Sequence, residues 1–256
     1  MPFRVAGMKS IVDGIAVEYM DEGAGHPLLL IHGWGDTMHT FDRLVPELKE
    51  RYRVVRLDLP GFGGTELPHE PWDVERYARF VQHFLQKVNV QPKAIVGHSL
   101  GGRVAIKGFA LRLFTAEKVV LIAAAGNARR RTMRNAVLFV TAKLGRVLTA
   151  VWPLTYFRDS LRKKLYEKVE SDYPNTKEMK ETFLNVIRED LSGDAAQLSL
   201  PTLLIWGTAD TTTPLSDGER FASVIKNSKL SVIPRAGHFV HMEKPLDVMR
   251  ALEAFV

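Results

Sequence analysis

Cysteine is absent from all 256 positions. The chain therefore has no disulfide framework, no thiolate nucleophile and no cysteine-built zinc site. No run approaches the roughly 20 consecutive apolar residues that span a bilayer, which argues against stable membrane insertion. The opening residues, Met1-Pro2-Phe3-Arg4-Val5-Ala6-Gly7, show neither an apolar h-region nor a cleavage site, and a cytoplasmic protein is the expectation. No internal repeat or nucleic-acid motif stands out, so nucleic acid is not an expected partner. What is present is an ordinary globular balance, 46% hydrophobic and 25% charged residues. The length suits one core that carries an insertion.

The formal charge of +6 is unevenly placed. Residues 127–170 hold eleven Lys/Arg against three acids, so the rest of the chain is close to neutral. One reading is a weak contact with anionic lipid or an acidic partner. The plainer one is a solvated face of surface helices.

Short apolar runs punctuate the chain. Residues 15–20 alternate, whereas 28–31, 54–57, 94–97, 118–122, 202–206 and 230–233 are nearly continuous, as strands buried on both faces are. Stretches 73–88 and 100–111 between them are long enough for crossover helices. This alternation predicts an α/β fold built on a mostly parallel, doubly wound sheet. It breaks between 126 and 199, where apolar residues such as Met133, Val137, Leu144 and Leu148 recur at helical spacing. Within that block Asn175 and Glu178 give a helix start signal, and Ser192-Gly193 a stop. A helical block between two strands of a parallel sheet cannot lie in the sheet. Residues 1–125 and 200–256 are thus expected to form the core, and 126–199 a helical cap.

Three chemically compatible side chains follow three of the apolar runs. Gly97-His98-Ser99-Leu100-Gly101 joins a strand to an amphipathic helix, and such an abrupt turn projects Ser99 from the sheet edge. Glycines on either side remove Cβ atoms that would collide there. A serine hydroxyl needs a base, and the base an orienting acid. Asp210 follows the run 202–206 and His238 the run 230–233, giving the chain order Ser, Asp, His. Each alone has a bland explanation, as a turn cap or a loop residue. The oxyanion of an acyl-transfer intermediate would take the backbone N–H of Leu100 and of Trp34, the latter within the glycine turn His32-Gly33-Trp34-Gly35-Asp36.

Other candidates are weaker. His98, held in the turn, can hardly serve as the base of its neighbour; with Gly33 it is placed beside the substrate. Val137, Leu138, Leu144 and Trp152 would supply an apolar roof over the substrate, or simply the packing core of the cap. His241 reads as a surface residue or as support behind the site. With His238 it would make a metal pair lacking a third ligand, so no metal and no other cofactor is expected.

The oxyanion turn, Asp58-Leu59-Pro60-Gly61-Phe62-Gly63, the elbow over 97–102, Gly207 through Asp210 with Pro214, and Gly237-His238 with Glu243-Lys244-Pro245 together resemble the α/β-hydrolase superfamily along almost the whole chain. Similar members include carboxylesterases, monoacylglycerol lipases, lactonases, carbon–carbon bond hydrolases of ring-cleavage products and proline iminopeptidases. Dehalogenases and epoxide hydrolases of this fold use an Asp nucleophile, so Ser99 argues against both. The resemblance implies a serine hydrolase that cleaves a small apolar ester or lactone through an acyl-enzyme. Its alternatives are a carbon–carbon bond hydrolase or lactonase, and a non-catalytic ligand-binding member.

Overall fold

The computed structural model describes residues 7–127 and 179–256. Among these, eight strands form one sheet: β1 (Met8–Val12), β2 (Ile15–Glu22), β3 (His26–Ile31), β4 (Tyr52–Leu57), β5 (Ala94–His98), β6 (Lys118–Ile122), β7 (Thr202–Gly207) and β8 (Ser228–Ile233). Their order across the sheet is β1-β2-β4-β3-β5-β6-β7-β8. β2 runs antiparallel to β1 and β4, and all other neighbours are parallel.

The continuous apolar runs exist because both faces of the sheet are covered. In β3, Leu29 and Ile31 enter one apolar cluster while Leu28 and Leu30 enter the other. β6 splits in the same way, Val119 and Leu121 against Val120 and Ile122. The first cluster is closed by α2 (Val74–Lys87) and α3 (Leu100–Ala110), through residues such as Tyr77, Phe84, Val104 and Ile106. α2 starts at Asp73, whose carboxylate accepts the Arg76 amide at 2.8 Å, satisfying one of the unpaired donors of a helix start. The second cluster is closed by α1 (Val45–Leu48) and by helices near the C-terminal end.

β1 was not expected. It is a sheet edge whose Met8 and Ile11 are exposed, so it shows no buried run. Its signal is the Asp13-Gly14 turn, where both residues have positive φ (50° and 80°), as a two-residue hairpin demands.

Of the expected cap, 128–178 lie outside the described residues. Residues 179–200 belong to the same compact unit as the sheet. There α4 (Lys180–Arg188) ends at Glu189, which is extended, and α5 (Ser192–Ala195) begins at the Ser192-Gly193 pair read as a stop. The break thus falls three residues earlier than the glycine suggested. α3 holds this segment: Lys107 Nζ lies 2.7 Å from Glu189 Oε1 and 2.6 Å from Asp194 Oδ2, and Arg103 donates to the Glu189 carbonyl at 3.0 Å. α6 (Leu215–Val224), α7 (Val240–Glu243) and α8 (Pro245–Glu253) complete the described helices, with Asp217 in the first turn of α6.

Candidate active site

Ser99 stands between β5 and α3 with φ 49° and ψ −105°, a conformation that L-residues rarely adopt. Main-chain bonds hold it there: its amide donates to Ile122 O at 3.1 Å, and its carbonyl accepts the Ala125 and Arg103 amides, each at 3.2 Å. The flanking glycines are required by backbone. A Cβ at Gly97 would lie 2.4 Å from Gly101 O, and one at Gly101 only 2.0 Å from Ile31 O.

Asp210 follows β7 and His238 follows β8. Nδ1 of His238 lies 2.9 Å from Asp210 Oδ2. The carboxylate can only accept, so Nδ1 carries the hydrogen and donates it, leaving the Nε2 lone pair for another proton. Asp210 Oδ1 takes the amides of Thr212 (2.8 Å) and Thr213 (2.9 Å). The Thr213 hydroxyl lies 2.9 Å from Oδ2 and 3.1 Å from His238 Nδ1. Burial of Asp210 works against its charge. The hydrogen bonds from His238 and Thr213 outweigh it and hold the carboxyl below its ordinary range. Thr213 escaped the sequence reading because a threonine three residues after an aspartate looks like any turn.

The glycine turn after β3 lies against Ser99: a Cβ at Gly33 would stand 3.3 Å from Ser99 Cβ. Gly101 N donates to His32 O at 3.0 Å, tying this turn to the start of α3. The amides of Trp34 and Leu100 have no hydrogen-bond partner among the described residues. For Leu100 this follows from its place in the first turn of a helix. The Trp34 ring packs edge-on against Phe62 and Phe183, both at 5.0 Å.

His32 orders the turn. Leu59 N donates to its Nε2 at 2.9 Å, so its Nδ1–H donates to Gly33 O at 2.7 Å. Both nitrogens are engaged by a neutral ring, and burial holds its pKa below the usual value. Asp58 links the same two loops, Oδ1 accepting Met38 N at 2.7 Å and Oδ2 accepting Gly64 N at 2.9 Å.

His241 is fully buried, which corrects its reading as a surface residue. The short α7 turns it inward beside Val240, where its Nε2 lies 2.8 Å from Thr40 Oγ1. Burial, with His238 as a second cause, pushes its pKa to about 3. His98 is buried as well, its Nε2 3.1 Å from the His238 carbonyl. Among the described residues no three His, Asp or Glu side chains converge as metal ligands would. Likewise, no described helix is long and apolar enough to cross a membrane. Val137, Leu138, Leu144 and Trp152 lie outside the described residues.

The model of the alpha/beta hydrolase family matches residues 28–252, a span that begins within β3, ends within α8 and includes Ser99, Asp210 and His238. The chain belongs to the alpha/beta hydrolase family. Among curated relatives of this hydrolase is an uncharacterized hydrolase, YugF, of Bacillus subtilis, 24% identical over 264 residues and covering 96% of both chains. Another is a 2-hydroxy-6-oxo-6-(2'-aminophenyl)hexa-2,4-dienoic acid hydrolase of Metapseudomonas resinovorans, 26% identical over 269 residues, 95% of this chain and 88% of the relative. A solved structure described as Est816, an N-acyl homoserine lactone degrading enzyme, superposes with a TM-score of 0.76 at 19% identity, over 97% of this hydrolase and 100% of that chain. At that identity the likeness concerns the fold.

Proposed function

We propose that this hydrolase cleaves carboxylic esters, lactones included, through an acyl-enzyme, with Ser99 as nucleophile, His238 as base and Asp210 as its orienting acid. The observation that carries the reading is the 2.9 Å His238–Asp210 hydrogen bond at the sheet edge where Ser99 is held strained. As the Ser99 oxygen bonds to the acyl carbon, its proton passes to His238 Nε2. The carbonyl oxygen becomes an anion, to which the Trp34 and Leu100 amides donate. Collapse breaks the ester C–O bond, and the departing alkoxide takes the proton from Nε2. Water then gives a proton to Nε2 and its hydroxyl to the acyl carbon. Ser99 recovers the proton as the acid leaves. Asp210 stays ionised throughout, favouring the charged imidazole that forms twice in the cycle.

Residues 126–199 are assigned to a cap, with Val137, Leu138, Leu144 and Trp152 as apolar substrate contacts, on their sequence pattern. Short p-nitrophenyl esters test the chemistry. Ser99→Ala is expected to abolish both turnover and labelling by a fluorophosphonate, and wild-type turnover in that variant would overturn the proposal. Absence of labelling in the wild type would favour a non-catalytic ligand-binding role instead.

A second reading, carbon–carbon bond hydrolysis of a ring-cleavage product, is supported by the activity named for the Metapseudomonas relative. The same nucleophile would attack a ketone carbonyl, and the proton on His238 Nε2 would pass to the leaving carbon instead of to an alkoxide oxygen. Esters, lactones and vinylogous diketones assayed side by side, each with the Ser99→Ala control, separate the two readings.

A further inference from the structure

We infer that His98 is a positioning residue, binding the main chain of His238 so that the base is held over the nucleophile; this rests on the serine-hydrolase reading above. His98 is the last residue of β5 and precedes Ser99 directly. Its ring is buried among three others: His241 at 4.5 Å between centroids, His238 at 4.9 Å and Phe239 at 5.2 Å.

A carbonyl only accepts, so the 3.1 Å contact to the His238 carbonyl means that His98 Nε2 carries the hydrogen. Nδ1 is then a bare lone pair, and it has no partner among the described residues. It faces Gly33 so closely that a Cβ there would come within 2.9 Å. The ring is therefore fixed as one neutral tautomer. Burial, reinforced by the neighbouring His241 and His238, disfavours its protonated form. Behind it, His241 is anchored to Thr40 in the turn Met38–Phe41. A chain of rings and hydrogen bonds thus runs from the base to the segment that follows the oxyanion turn.

His238 is held at two points. Asp210 fixes its ring through Nδ1, and His98 fixes its peptide through the carbonyl. Removing the first changes the tautomer. Removing the second leaves the tautomer intact and loosens the distance from Nε2 to the Ser99 hydroxyl, where an error of about 1 Å costs about a hundredfold. This role differs from contact with substrate, because the ring's one donor is spent inside the protein.

The test compares His98→Phe, which keeps ring volume without a donor, with His98→Gln, whose amide reaches about as far as Nε2. Rates on p-nitrophenyl butyrate are normalised to folded protein, and the His238 ring proton is followed by NMR. His98→Phe is expected to lower kcat by about tenfold or more with KM changed less than about twofold. His98→Gln is expected to restore kcat to within about threefold of wild type. The His238 resonance is expected to shift or broaden in the Phe variant alone. Equal kcat in wild type and His98→Phe, or equal impairment in both variants, overturns the inference. If His98→Phe does not fold, His98→Asn, whose amide is too short to reach the carbonyl, replaces it. Should wild type neither turn over esters nor react with a fluorophosphonate, the hydrolase reading fails. The NMR comparison then decides the positioning role alone, and an unchanged His238 signal in the donor-less variant overturns it.

Discussion

Gly207, the last residue of β7, lies so near the loop of His238 that an added methyl would stand 2.1 Å from the carbonyl oxygen of Ala236. That same carbonyl accepts the Ala209 amide at 2.9 Å. The strand end leading to Asp210 and the loop leading to His238 therefore interlock through main chain. Neither side can swing a side chain away to make room.

Gly207→Ala is the direct probe of that contact. The methyl can be accommodated only by moving the Pro234–Gly237 backbone or the strand. We expect a stability loss of about 1–3 kcal/mol, seen in urea melts. Ester turnover per folded molecule should fall by at least about tenfold. Unchanged turnover in a stable variant would refute the interlock.

Thr213→Val removes a buried hydroxyl that lies against both Asp210 and His238 while keeping its volume. Turnover should drop by about tenfold, the range of one lost hydrogen bond to a charged group. Thr213→Ser should recover most of it. Asp210→Asn should cost far more, on the order of a thousandfold or greater, because an amide can stabilise the wrong imidazole tautomer. Steady-state kinetics of the three variants supplies the ranking.

Stability should fall on mild acidification because of His241. Its folded pKa is about 3, against about 6.5 in an unfolded chain. Below about 6.5 the unfolded chain takes up a proton that the folded one refuses, so the stability present at neutral pH drains away as pH falls towards 3. Urea midpoints at pH 7.5 and pH 5 measure this. His241→Gln should reduce the difference in stability between those pH values by about 2 kcal/mol. An identical pH dependence in wild type and variant would refute it.

Arg56 of β4 is buried, yet it pairs with Glu22 at 2.8 Å, with Asp42, and with the Met38 carbonyl at 3.2 Å. Removing one member of a fully buried pair costs about 3–5 kcal/mol. Here Asp42 is 54% exposed and water can take over part of its solvation. Arg56→Ala should therefore cost about 2 kcal/mol, read from denaturant unfolding.

The strand core was legible because a strand buried on both faces has no polar phase. β3 and β6 announce themselves as Leu28-Leu29-Leu30-Ile31 and Val119-Val120-Leu121-Ile122. The strand order was not legible. Nothing local says that β3 inserts between β4 and β5, since that is settled by crossover connections. β1 was missed because its exposed edge mixes Met8, Lys9 and Ser10 without a clear period, although Asp13-Gly14 marks the hairpin. The Ser99 turn could be read from its glycines, because backbone collisions at Gly97 and Gly101 leave no other residue type there. Thr213 and the buried side of His241 could not. Both are defined by partners far away or by the phase of a four-residue helix, too short for periodicity to register.

His32 and Asp58 each bridge the loops that leave β3 and β4, the ring through Leu59 and Gly33, the carboxylate through Met38 and Gly64. Those two loops are in effect one graft. An engineer who transplants a new turn at Trp34 without the matching stretch from Asp58 to Gly64 puts at risk the two hydrogen bonds that cross between the loops, Leu59 N to His32 Nε2 and Met38 N to Asp58 Oδ1. Swapping both together preserves the weld, and with it the freedom to retailor selectivity elsewhere in the chain.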